Sequence, residues 1–116
     1  MARTDRMVGR LFMDCDHYAL CDVVRDVVAM GARKWPERCV MPVRSFRVFE
    51  TSSLHYHVVV QLRWRVPFSE ALLYLKQSRT CDPNYIDWCG RRSMFSRRVS
   101  AKGGRTPREV FAGVVS

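Results

Sequence analysis

The sequence predicts an α+β domain: an antiparallel sheet with helices packed on one face, ferredoxin-like or split βαβ, its polar face open for a partner. Three observations lead there. Tyr56, Val58, Val60, Leu62, Trp64 and Val66 are apolar at alternate positions, while His55, His57, Val59, Gln61, Arg63 and Arg65 fill the positions between. Side chains alternate faces along a strand, so one face is core and the other mostly polar. Strand-like and helix-like patterns then follow one another as β-α-β-β-α-β-α. Finally, 116 residues with 47% hydrophobic and 27% charged content suit a single domain, 1–116, with one core.

Each element has its own reason. "VGRLFMDC" (Val8–Cys15) reads as a first short strand. In "ALCDVVRDVVAMG", Leu20, Val23, Val24, Val27 and Val28 recur at helical spacing, and Gly31 is expected to stop the helix. "ARKWPERCVMP" is a polar connection broken by two prolines. "VRSFRVFE" and "LHYHVVVQLRWRV" read as strands joined by a tight hairpin at Thr51-Ser52-Ser53. Pro67 ends the second, and "FSEALLYLKQS" begins a helix with Ser69 as its expected N-cap. Beyond it, Asp82-Pro83-Asn84 signals a turn, "YIDW" a short strand and "SMFSRRVSA" a short helix before Gly103-Gly104. "PREVFAGVV" reads as a last helical turn or two, making 103–116 a flexible or short helical tail.

The charge narrows the partners. The formal net charge is +9 and the pI about 10.0, a field that favours polyanions, nucleic acid first and acidic membrane surfaces second. Seventeen of the twenty basic residues are Arg, the side chain that forks onto phosphates. Residues 91–116 alone carry +6. Five cysteines, an odd number without a CxxC pair, argue for reduced thiols in an intracellular compartment. No apolar run approaches a membrane span, no signal-peptide pattern opens the chain, and no GxxxxGK loop is present.

The polar face of "LHYHVVVQLRWRV" holds His-x-His and then Arg-x-Arg, residue types that suggest a ligand. A two-residue turn at Ser52-Ser53 would set Glu50 opposite His55 and Val48 opposite His57. Directly opposed side chains lie within about 5 Å on one face, so two imidazoles and a carboxylate would meet there. Such a set can hold a divalent ion with positions open for substrate. Val48, apolar against His57, is the departure from that pattern.

"LHYHVVVQL" resembles the His-hydrophobic-His motif of HUH endonucleases, the replication-initiator (Rep) proteins of small circular single-stranded DNA viruses and rolling-circle plasmids. The order of elements is also similar: a strand "RLFMD", an amphipathic helix, a strand ending in "FE", a tight turn, then the triplet and a basic strand leading into a helix. The resemblance spans roughly Val8 to Gly104. It implies a site-specific nicking and joining activity on single-stranded or stem-loop origin DNA, with Mg or Mn held by His55, His57 and Glu50. It also implies a tyrosine nucleophile in a Tyr-x-x-Lys pattern on a later helix, forming a phosphotyrosine link to the DNA 5′ end.

At that point the chain departs from the pattern. The matching stretch is Phe95-Ser96-Arg97-Arg98, with Phe95 in the nucleophile's place and Arg98 for the lysine. Phenylalanine has no oxygen to attack phosphorus, so the chain is either a Tyr→Phe trap or an inactive relative, or the nucleophile lies elsewhere. Tyr85, next to a turn, is then the alternative; Tyr74 reads as a core-edge aromatic. For DNA contacts, Arg63 and Arg65 are expected on phosphates and Gln61 on a base edge, with Arg91, Arg92, Arg97, Arg98 and Lys102 extending the basic track. Trp64 and Tyr56 share the core parity and are not expected to stack on bases. The resemblance further implies a separate helicase domain or host replication proteins as partners, no membrane, and a host nucleus or a cytoplasm as location. The competing readings are a non-catalytic basic nucleic-acid-binding module on the same scaffold, and a regulatory protein with an acidic partner. An RNA-recognition sheet would present aromatics on its open strands; here the exposed parity carries His and Arg, which favours the nicking reading.

Overall fold

A computed structural model describes residues 6–32, 40–95 and 107–114. Its elements are β1 (Met7–Asp16), α1 (Leu20–Ala32), β2 (Val43–Ser52), β3 (His55–Pro67), α2 (Phe68–Lys76), α3 (Pro83–Arg92) and β4 (Arg108–Val114). The strands form one sheet in the order β1-β3-β2-β4, every neighbouring pair antiparallel. β1 and β2 therefore run parallel with β3 between them, a split βαβ unit whose crossover carries α1. The α+β class, with helices on one face of an antiparallel sheet, is as the alternation predicts. No helix among the described residues is long and apolar enough to cross a membrane.

One core explains the layering. Leu11, Met13 and Cys15 of β1, Phe46 and Val48 of β2, and Val58 and Val60 of β3 are buried with Val23 and Val27 of α1, Leu75 of α2 and Cys89 of α3. β1 and β3 contribute alternate residues to this cluster, and β2 does so from Phe46 to Val48, with Val43 joining across an irregularity before Ser45. Among the described residues the helices bury their apolar positions in this one cluster, and none packs on the other sheet face. Gly31 does not stop α1, which runs on to Ala32. A Cβ on Gly31 would meet Val43 Cγ2 at 3.3 Å, so this glycine serves the close approach of the helix end to β2 rather than an exit turn.

The C-terminal third differs from the expected elements. Asp82-Pro83 is a helix start: the Asp82 carboxylate accepts from the Asn84 N–H, and Pro83 takes the first helical position of α3. "YIDW" is thus helical. The helix ends at Ser93 in the left-handed region, φ 54°. Met94 and Phe95 lie beyond it, and the rest of "SMFSRRVSA" lies outside the described residues. Arg108–Val114, expected as a flexible or helical tail, is a strand pairing with β2 over Ser45–Glu50. Phe111 stacks on Phe46 with ring centroids 5.4 Å apart, and the burial of that ring decides between strand and helix for so short a segment. A Cβ on Gly113 would meet the Phe111 ring at 2.8 Å, so a side chain there would push the ring from its present place. α2 begins without the expected Ser69 cap. Pro67 occupies the N-cap position, with no side-chain cap hydrogen bond.

Two irregularities shape the functional face. The β2–β3 turn falls on Ser53 and Leu54, with Leu54 left-handed at φ 59°. Between β1 and β3, Val8 pairs with Val66 but Arg10 pairs with Gln61. Four residues of β3 thus face one of β1, and Arg63, Trp64 and Arg65 bulge outward, all three exposed.

Candidate functional site

The open face is legible as rows across the strands. One row is Asp16–His55, the next Asp14–His57–Phe49–Glu109, the next Phe12–Val59–Arg47–Ala112, the last Arg10–Gln61–Ser45–Val114. The face is divided along the strands. One end carries acids against imidazoles; the other carries arginines and leads into the Arg63–Arg65 bulge.

At the acid–imidazole end, His55 Nδ1 and Asp16 Oδ1 are 2.7 Å apart. His57 Nε2 stands 3.4 Å from Asp14 Oδ1, and both of these side chains are 14% exposed. His57 Nδ1 is buried without a hydrogen-bond partner. The His17 ring meets His55 edge-on at 5.4 Å, so all three histidines of the chain lie at or beside this end. His17 is held there by its N–H to the Leu54 carbonyl, 2.7 Å, and has φ 70°.

Glu50 is not among them. The turn at Ser53-Leu54 moves the register by one residue, so Glu50 opposes Tyr56 and Phe49 opposes His57. A one-residue shift turns a side chain to the other face. Glu50 instead pairs with Arg108 at 2.9 Å and lies beside Tyr56. Burial first, then the adjacent Glu50 carboxylate, push the Tyr56 phenol above its ordinary range. The expected metal set of His55, His57 and Glu50 therefore does not fit a divalent ion here, since its carboxylate is on the opposite face. Among the described residues, no group of three or more His, Cys, Asp and Glu side chains is gathered for a metal ion.

The expected nucleophile positions are also turned inward. Phe95 is buried and lies against Phe68, with centroids 4.9 Å apart. It belongs to the core and not to a helix that faces the histidines. Tyr85 is buried in the core from α3, and Tyr74 donates to Glu70 Oε2 at 2.6 Å. Of the four tyrosines only Tyr18, just past β1, is exposed, at 40%. Arg98 lies outside the described residues.

The expected DNA contacts separate in the same way. Gln61 is engaged at the bulge: its Oε1 accepts from Arg10 Nε at 3.0 Å, and its Nε2 donates to the Gly9 and Leu62 carbonyls. It acts as a clamp, with both amide hydrogens committed to backbone carbonyls. Arg63 Nε donates to the Val43 carbonyl at 3.1 Å, and its backbone N–H to Pro42 at 2.7 Å. Arg65 is exposed. Arg91 pairs with Asp87, and Arg92 lies over the Trp88 ring at 5.4 Å, both on α3 in the helix layer. Arg97 and Lys102 lie outside the described residues.

Sequence reasoning missed Phe12 and Phe49, both partly exposed on the open face. Arg47 lies 5.2 Å over the Phe49 ring and pairs with Glu109. It also missed Asp14 and Asp16, although the alternation Leu11, Met13, Cys15 against Phe12, Asp14, Asp16 already holds them on one parity. No family model, curated protein or solved structure matches this chain.

Proposed function

We propose that this domain binds single-stranded nucleic acid across the arginine end of its open sheet face. The observation that carries the reading is the placement of Phe12 with Arg10 and Arg47 on that face, with Phe49 under Arg47 at the border of the acid–imidazole row, where no helix of the described residues packs. Aromatic rings offer stacking surfaces that tolerate any base, and guanidinium groups follow the phosphates. The net charge of +9 supplies long-range attraction to the backbone. His57 and Gln61 are already engaged with Asp14 and Gly9, so sequence-specific base reading is expected to be weak.

The test is fluorescence anisotropy with a labelled single-stranded oligonucleotide over a salt series. The expected slope of log K against log salt flattens by about 0.7 for each of Arg10→Gln and Arg47→Gln. Phe49→Ala is expected to weaken binding about tenfold without changing the slope. Equal affinity of all variants would sink the reading. Mg, Mn or a chelator is expected to leave affinity unchanged. A metal-dependent covalent adduct on stem-loop DNA would instead favour the nicking reading, with Tyr18 as the first nucleophile to replace.

A further inference from the structure

Trp64 stands on the parity of β3 that should be core: Leu62 and Val66 on either side of it are 3% and 2% exposed. Trp64 itself is 62% exposed. The reversal is a consequence of the bulge, which turns Arg63, Trp64 and Arg65 out together. A single exposed aromatic needs no explanation by itself. This one sits on a built support. Gln61 ties both sides of the bulge through the Gly9 and Leu62 carbonyls and accepts from Arg10. Arg63 is anchored to Pro42 and Val43. The indole is therefore offered on fixed backbone, between two arginines, next to the row that holds Arg10.

We infer that Trp64 is a base-stacking post that takes one unpaired base of a single-stranded nucleic acid, with Arg65 on the adjoining phosphate. The inference rests on the proposed binding to the open face and extends that track onto the bulge of β3. Charge complementarity selects the occupant. Arg65 adjoins the post and Arg10 lies in the neighbouring row opposite Gln61, and a stacked base brings its own phosphate to this basic stretch. An acidic membrane surface shares the charge, but membrane attachment scales with buried apolar area. Of the exposed large hydrophobics, the register sets Met7, opposite Pro67, at Trp64's sheet end, and Val114 two strands away in the Gln61 row, a scattered apolar set for a membrane.

The experiment measures binding of a labelled twelve-nucleotide oligothymidine by wild type, Trp64→Ala, Trp64→Phe and Arg10→Gln, with melting curves to confirm that each variant folds. The expected result is a loss of about tenfold for Trp64→Ala, recovery of most of it in Trp64→Phe, and an unchanged salt slope in both. If Trp64→Ala binds like wild type while Arg10→Gln is weaker, the sheet-face reading stands and the stacking post is overturned. If wild type itself does not bind, the binding reading fails and takes the post with it. Trp64-dependent binding to phosphatidylserine vesicles, with oligonucleotide affinity unchanged in Trp64→Ala, would also overturn the proposal.

Discussion

Asp26→Ala is expected to destabilise the domain by about 4 kcal/mol, a large fraction of the 5–15 kcal/mol usual for a domain. The carboxylate is 6% exposed on α1. It accepts from Ser78 Oγ at 2.5 Å, Thr80 Oγ1 at 2.6 Å, and the backbone N–H groups of Arg79 and Thr80 at 3.1 Å. These donors lie in the connection between α2 and α3, which no regular element satisfies. Removing the acceptor leaves the buried Thr80 hydroxyl and the half-buried Ser78 hydroxyl and Arg79 N–H without it, with only Ser78 Oγ at 3.3 Å left for the Thr80 N–H, and each orphan costs about 1–3 kcal/mol. Thr80 Oγ1 also touches Cys15 Sγ at 3.5 Å, and the next turn of chain sends the Asp82 N–H to the Asp14 carbonyl. The network thus ties both helices to the strand that carries Asp14 and Asp16. A thermal melt followed by circular dichroism checks it: a drop of roughly 15 °C is expected for Asp26→Ala, and a smaller one for Asp26→Asn, which keeps the shape and loses the charge. A melting point within a few degrees of wild type would mean that water replaces the carboxylate and that the connection is not held this way.

The sheet was legible where one strict rule acts. Along β3, burial of one face enforces alternation, so Tyr56 through Leu62 read directly from residue type. The rest depended on partners that lie far away in sequence. Glu50 was set on the wrong face by one residue, because Ser52-Ser53 and Ser53-Leu54 are equally short turns and only the formed ladder distinguishes them. Trp64 obeyed the alternation in sequence and broke it in space, since a bulge depends on how much of β1 is available opposite. Asp82-Pro83 serves equally as a turn or as an N-cap with a first-position proline, and "YIDW" is too short for periodicity to choose. Arg108–Val114 became a strand because the edge of β2 and the Phe46 ring were there to receive it. The His-x-His pair is legible in the sequence; its neighbours Asp14 and Asp16 are not, because only the formed ladder shows that β1 supplies the acids beside these residues of β3.

Raising the pH from 9 to 11 is expected to weaken folding on the order of 10³-fold, or roughly 4 kcal/mol, through two buried thiols. Burial pushes Cys15 up to about 12, with the Asp26, Asp14 and Asp16 carboxylates adding to the rise against the opposing hydrogen bond from Thr80. Burial likewise pushes Cys81 up, and Cys15 adds to it, against an opposing Asp14 backbone hydrogen bond. The sign follows from proton counts. Below pH 9 both states keep their thiol protons and stability does not change on this account. Above it the unfolded chain releases them, while the folded chain retains them to about 12 at Cys15. The folded state then binds more protons, so each thiol weakens folding with a slope that approaches about tenfold per pH unit between 10 and 11. Tyr56, also raised, acts in the same direction above pH 10. Urea unfolding at pH 8, 9, 10 and 11 on wild type and a Cys15→Ala, Cys81→Ala double variant isolates the thiols. The variant starts lower at pH 8, because two side chains leave small voids, but its curve should fall less steeply. Parallel curves would mean that the layer between β1 and the α2–α3 connection opens to water before the thiols resist ionisation. The seam around Asp26 and Thr80 would then be the weakest part of the domain rather than its clamp.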